Sequence, residues 1–120
     1  MPGMIPANYH EKGISMSFTK FNFHPRIQGG IQAMGYTTPT PIQQKSIPVI
    51  LQGRDVMGLA QTGTGKTAAF VLPIMQHLID SPRRGTRALI VAPTRELAEQ
   101  IHESIEELGR KTTLRSVAVY

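Results

Sequence analysis

The chain has no cysteine, which excludes disulfides, thiol nucleophiles and cysteine-ligated zinc. Its four histidines, His10, His24, His77 and His102, are scattered without a paired metal-ligand spacing. No apolar run reaches the roughly 18 residues that a membrane-spanning helix requires, since the stretches 49–51 and 68–75 are both short. The first fifteen residues carry Asn8, Tyr9, His10, Glu11 and Lys12 where a secretory signal would need an apolar core. Neither a membrane nor a disulfide partner is expected, and a cytoplasmic location is the default. Acidic residues are also few, eight against thirteen Lys and Arg, for a formal charge of +5. Such a balance favours polyanionic partners. Residues 1–59 hold five basic and two acidic side chains, and residues 60–120 hold eight and six. With no basic tail, any nucleic-acid contact must come from a folded surface. What the chain does have, 40% hydrophobic residues over 120 positions, is enough for one domain core.

Residues 1–15 contain two prolines, two glycines and no periodicity, and read as a flexible leader. Met16 opens a second candidate start. Helical spacing follows: Ile27, Ile31 and Met34 share a face, with Pro25 pre-set for the first turn and Gly35 at the end. Gly29 and Gly30 weaken that pattern. A second helix should begin at Pro41 under a Thr40 cap, run toward Leu51 with a disturbance at Pro48, and stop at Gly53. The period then changes. Residues 55–59 read as a short strand, and 66–80 as a helix interrupted by Pro73. Residues 87–92 (RALIVA) read as a strand buried on both faces. Thr94 can cap a helix through Leu108 with an apolar stripe of Leu97, Ile101, Ile105 and Leu108, and Gly109 stands at its C′ position. Glu99, Glu103, Glu106 and Glu107 read as its solvated face, with Glu106–Arg110 and Glu107–Lys111 as ion pairs four residues apart. Residues 115–120 complete a strand–helix–strand–helix–strand order, the signature of an α/β parallel sheet with flanking helices. Arg83, Arg84 and Arg87 are the densest basic cluster, read as a solvent-exposed loop near nucleic acid.

The most informative stretch is Ala60-Gln61-Thr62-Gly63-Thr64-Gly65-Lys66-Thr67. It follows a strand and opens a helix, as a phosphate-binding loop does. Glycines let successive N–H groups turn inward on a polyphosphate, Lys66 adds a positive charge, and Thr67 offers a hydroxyl to Mg2+. Ala60 departs from the usual opening glycine, whereas Gly63 and Gly65 are kept.

These residues, with GYTTPTPIQ at 35–43 before them and PTRELA at 93–98 after them, resemble the N-terminal part of a DEAD-box ATP-dependent RNA helicase, closest in wording to the bacterial RhlE-like type. The resemblance covers residues 18–120. It implies a P-loop, RecA-like fold of which this chain holds an incomplete βαβαβ portion: a leader at 1–15 and, at 16–120, the N-terminal part of the ATP-binding domain. It implies ATP and Mg2+ as cofactors. The 35–43 block, with Tyr36 and Gln43, becomes the adenine reader. An amide can accept from the exocyclic N6 and donate to N7 at once, which guanine does not match. An upstream aromatic would cover the base: Phe18 has the matching position, with Phe21 and Phe23 as neighbours better suited to core packing. Gln61, Thr62, Gly63, Thr64, Gly65, Lys66 and Thr67 would hold the phosphates, Lys66 and Thr67 in catalytic roles. Pro93, Thr94 and Arg95 would touch the RNA backbone of a single strand or short duplex. A purely structural reading, with Thr94 as a cap and Arg95 solvated, stands beside that one.

The family's acidic box, its coupling motif and its second domain with an arginine finger have no counterpart in these residues. The expectation is therefore a C-terminally truncated fragment, inactive alone. In the family's fold the strand bearing the acidic box pairs close to the phosphate-loop strand. Two other readings are a nucleotide-binding module without catalysis and a DNA-directed P-loop helicase. The adenine-reading block argues against the latter.

Overall fold

The computed structural model describes residues 17–60, 65–82 and 84–120. The expected leader at 1–15 lies outside the described residues, as do Gln61, Thr62, Gly63, Thr64 and Arg83. A 3-10 turn at Phe18–Phe21 precedes four helices: α1 Pro25–Ala33, α2 Pro41–Leu51, α3 Lys66–Ile79 and α4 Arg95–Leu108. None among the described residues is long and apolar enough to cross a membrane.

Each helix starts where its sequence supplies a cap. Pro25 opens α1, and His24 Nδ1 accepts from the Arg26 N–H at 3.1 Å. The glycine pair inside α1 has a packing reason: a Cβ on Gly30 would overlap the Leu108 carbonyl oxygen of α4, and the Lys111 side chain lies across Gly29. A helical glycine costs about 0.5–1 kcal/mol relative to alanine, and here that loss permits the close crossing that buries Ile27, Ile31 and Leu108. Complete burial of each such side chain contributes about 1.5–3 kcal/mol. In α2, Thr40 and Gln43 form a reciprocal capping box. Pro48 removes one donor from its ladder, but the helix continues to Leu51. His77 Nε2 lies 2.9 Å from the Ile50 carbonyl and ties α3 to the end of α2.

Two helix expectations change. Pro73 does not interrupt α3, which runs unbroken from Lys66 to Ile79. Its ring is wholly buried, so apolar burial offsets the missing hydrogen bond. Gly109 ends α4 at φ −94° instead of in the left-handed conformation. The chain then turns, and Glu106–Arg110 and Glu107–Lys111 do not close as ion pairs, because Arg110 and Lys111 lie past the last helical turn. Glu106 instead meets His102 Nε2 at 2.6 Å.

The core joins Phe18, Phe21 and Phe23 to Ile27, Ile31, Ile47, Val71, Leu72, Met75 and Leu108. On α4, Leu108 belongs to this core and Ile105 packs against it, so the C-terminal half of the expected stripe faces it, whereas Leu97 and Ile101 line a neighbouring cleft.

The three expected strands are not formed as strands among the described residues. Residues 55–59, 87–92 and 115–120 make no backbone–backbone hydrogen bonds there. A strand exists only through a neighbour's ladder, and these segments do not supply one to each other. Period-two burial survives in 87–92 and 115–120, whereas residues 55–59 are exposed at every position. Leu114, Ser116 and Ala118 are half-buried against the helices, whereas Arg115, Val117 and Val119 are exposed. Likewise Ile90 and Ala92 are half-buried while Leu89 and Val91 are exposed, so RALIVA is covered on one face and not on both.

Candidate functional site

Gly65 sits at the N-cap of α3 with φ +83°, a left-handed conformation, and a Cβ there would clash with the Gln43 amide nitrogen. Glycine is required on both counts. Beyond it α3 begins without a side-chain cap and without an acidic residue in its first turn. Its first N–H groups and its dipole therefore favour an anion. Lys66 is exposed and Thr67 half-buried. Both line, with Tyr36 and Gly65, a cleft of about 690 Å³ that opens between α3 and α4. A helix start without a side-chain cap among the described residues, one cation and one hydroxyl fit a polyphosphate. Thr67 would offer a single hydroxyl oxygen to a Mg2+ ion. No cluster of three His, Asp or Glu that could hold a metal exists among the described residues, so other ligands would have to be phosphate oxygens and water.

Gln43, 3% exposed, joins two parts of this site. Its Oε1 accepts from the Thr40 N–H at 2.9 Å, and its Nε2 donates to the Gly65 carbonyl at 3.1 Å. One lone pair and one N–H remain on that amide, the two groups an adenine edge needs. The Thr-x-x-Gln spacing announces the capping box, but nothing local announces the bond to Gly65, twenty-two residues away.

Phe18, the aromatic expected over the base, lies among other rings. Phe18 is 3% exposed, edge-on to Phe21 at 5.9 Å and stacked on Tyr36 at 6.1 Å. Three phenylalanines within six positions pull the segment into the core, and Tyr36 occupies one face of Phe18. Tyr36 is 36% exposed and lines the cleft. Phe21 and Phe23 are buried, as core packing requires.

At α4, Pro93, Thr94 and Arg95 are all exposed. Thr94 Oγ1 accepts from the Leu97 N–H at 3.1 Å, which leaves its hydroxyl hydrogen free to donate. The basic cluster is reorganised. Arg87 Nη1 lies 3.0, 3.2 and 3.1 Å from the carbonyls of Leu78, Ser81 and Pro82, so this arginine closes the C-terminal end of α3 instead of facing solvent. Arg84 is exposed and Arg83 lies outside the described residues.

Comparison with known proteins places this arrangement. The DEAD/DEAH box helicase family matches residues 40–120. The ATP-dependent RNA helicase DDX42 of Xenopus laevis is 50% identical over 108 residues, covering 87% of this chain and 11% of its own length. Among solved structures, the RNA helicase Prp28 from Chaetomium thermophilum bound to ADP aligns with a TM-score of 0.80 at 37% identity, over 87% of this chain and 26% of that one. A variant of Dbp5 from S. cerevisiae bound to RNA and ADP BeF3 aligns at 0.74 and 35% identity, over 83% of this chain and 26% of that one. These neighbours are RecA-like DEAD-box helicase domains. The chain thus spans only about a tenth of the DDX42 length, 11%. With its phosphate-loop helix, its Gln43 block and its α4 start all inside or beside the matched region, the chain belongs to the DEAD/DEAH box helicase family.

Proposed function

We propose that residues 16–120 are the ATP-binding, N-terminal part of RecA-like domain 1 of an ATP-dependent RNA helicase, with residues 1–15 as a leader. In that domain, 55–59, 87–92 and 115–120 are three strands of a parallel sheet whose remaining strands supply their ladders. The period-two burial within 87–92 and 115–120 supports this reading for those two segments. The RhlE-like assignment rests on motif wording alone, because the relatives compared above are eukaryotic. The whole protein would remodel or unwind RNA with ATP.

The observation that carries the reading is the Gln43 amide, which connects the α2 cap to the Gly65 carbonyl at the phosphate loop. Adenine recognition and phosphate binding are thereby coupled through one side chain. Gln43 presents its free lone pair and N–H to the base, and Tyr36 stacks on it. Gly65, Lys66 and the first N–H groups of α3 neutralise the phosphates. Thr67 would hold Mg2+, which supplies charge neutralisation between phosphate oxygens when bound. Gln61, Thr62, Gly63 and Thr64 complete the loop by their place in the motif. Pro93, Thr94 and Arg95 bind the RNA backbone, Thr94 by its remaining hydroxyl hydrogen and Arg95 by charge.

Nucleotide competition tests this. The full-length protein should prefer ATP and ADP over GTP and GDP, and Gln43→Ala should remove about 1–3 kcal/mol of that discrimination. Because Gln43 also caps α2, the variant should lose about 1 kcal/mol of stability. The ATP-to-GTP affinity ratio is therefore the informative quantity, since loop distortion weakens both nucleotides alike. Equal affinity for ATP and GTP in the unaltered protein would overturn the assignment.

A further inference from the structure

Residues 114–120 return along α4 and touch it at two points. His102 Nδ1 lies 2.5 Å from Ser116 Oγ, and the Arg95 guanidinium lies 4.7 Å from the centre of the Tyr120 ring. From Arg95 to His102 the helix rises about 10 Å, and from Ser116 to Tyr120 an extended chain advances about 13 Å. The two spans are similar, and because the later segment residue meets the earlier helix residue, the segment runs antiparallel to α4. Tyr120 therefore arrives at the N-terminal end of α4, beside Thr94 and Arg95. In α/β folds this edge, where strands end and helices begin, is where ligands bind.

Tyr120 is 67% exposed, and Arg95 is exposed as well. Among the described residues Arg95 has no ion pair and no side-chain hydrogen bond, so the ring is the group that holds it. A guanidinium over an aromatic face is attracted by the ring quadrupole. That contact is one of charge with the ring quadrupole and takes up no conventional hydrogen bond of the guanidinium, whose N–H donors stay available. Those donors are the ones that pair with a phosphate in bidentate fashion. The tyrosine thus restricts the arginine without consuming its hydrogen-bonding capacity.

We propose that Tyr120 is a positioning residue for RNA binding, whose ring pre-sets the Arg95 guanidinium beside Thr94 for a backbone phosphodiester. The inference rests on the reading above that Thr94 and Arg95 contact RNA. Tyr120 acts through Arg95 and makes no base contact of its own.

The test is binding of a short fluorescent oligo-U strand to the full-length protein and its variants. Tyr120→Leu should weaken binding about two- to five-fold, the range of an exposed cation–π contact, while Tyr120→Phe should bind like the unaltered protein. Arg95→Ala should weaken binding about ten-fold or more, and in that background Tyr120→Leu should add nothing. ATP affinity and melting temperature should not change with Tyr120→Leu. A loss in Arg95→Ala with none in Tyr120→Leu would overturn the positioning role and leave the RNA-contact reading standing. No loss in Arg95→Ala would remove that reading and the inference with it. A Tyr120→Leu loss of the same size in the Arg95→Ala background would mean direct contact by the ring. A parallel fall in ATP affinity would mean a merely structural role. Either of these also overturns the proposal.

Discussion

Replacing Lys66 with alanine in the full-length protein should lower ATP turnover on the order of 100- to 1,000-fold, the loss seen when one pre-organised charge-stabilising donor is removed. Lys66 is exposed, at the first position of α3, and takes no part in the hydrophobic core. Surface substitutions of that kind change stability by about 0.5 kcal/mol or less, so the melting temperature should hold. The two readouts separate chemistry from folding. Thr67→Ala should instead mainly weaken Mg2+-dependent nucleotide binding, because Thr67 offers one metal ligand and no charge. A phosphate-release assay and a thermal melt on the same preparations decide the matter. A near-normal rate in the Lys66→Ala protein would take the α3 start out of the mechanism.

The 120-residue chain by itself should associate as its concentration rises and should show no measurable ATP turnover. Met57 and Leu59 are each 90% exposed, and Leu89, Val91, Val117 and Val119 exceed 80%. Monomeric proteins rarely leave such an array uncovered. The same segments make no backbone–backbone hydrogen bonds among the described residues, and such edges template edge-to-edge pairing. Apolar faces and open ladders therefore act together. Sedimentation velocity over a range of concentrations should reveal species larger than a monomer. A monomer at every concentration would mean that these side chains are covered in solution in some other way.

Much of the helical layer can be read from the sequence because helix boundaries are written locally. Pro25, the Thr40–Gln43 box and Thr94 each mark a start within one turn of themselves. Pro73 misleads for the opposite reason, since a proline is tolerated inside α3 only because distant residues bury it. Gly30 likewise reads as a weakness until the Leu108 carbonyl is seen against it. The strand segments are recognisable as short apolar stretches between helices, but a strand is a property of two paired segments and not of one. Within the site, the helix start at Gly65 and Lys66 is legible from its motif. The depth of Phe18 is not, because Phe18, Phe21 and Phe23 share one local pattern and only the Tyr36 stack tells them apart. The Gln43–Gly65 bond, the Arg87 closure of α3 and the Arg95–Tyr120 pair are contacts between separate elements that no short motif encodes.

Strand displacement from a short RNA duplex by the full-length protein tests most directly whether these residues serve an ATP-driven RNA helicase. Release of the displaced strand should require ATP, fail with GTP and disappear in the Lys66→Ala protein. Displacement that proceeds equally well with GTP or without nucleotide, or ATP hydrolysis to which added RNA makes no difference, would contradict it.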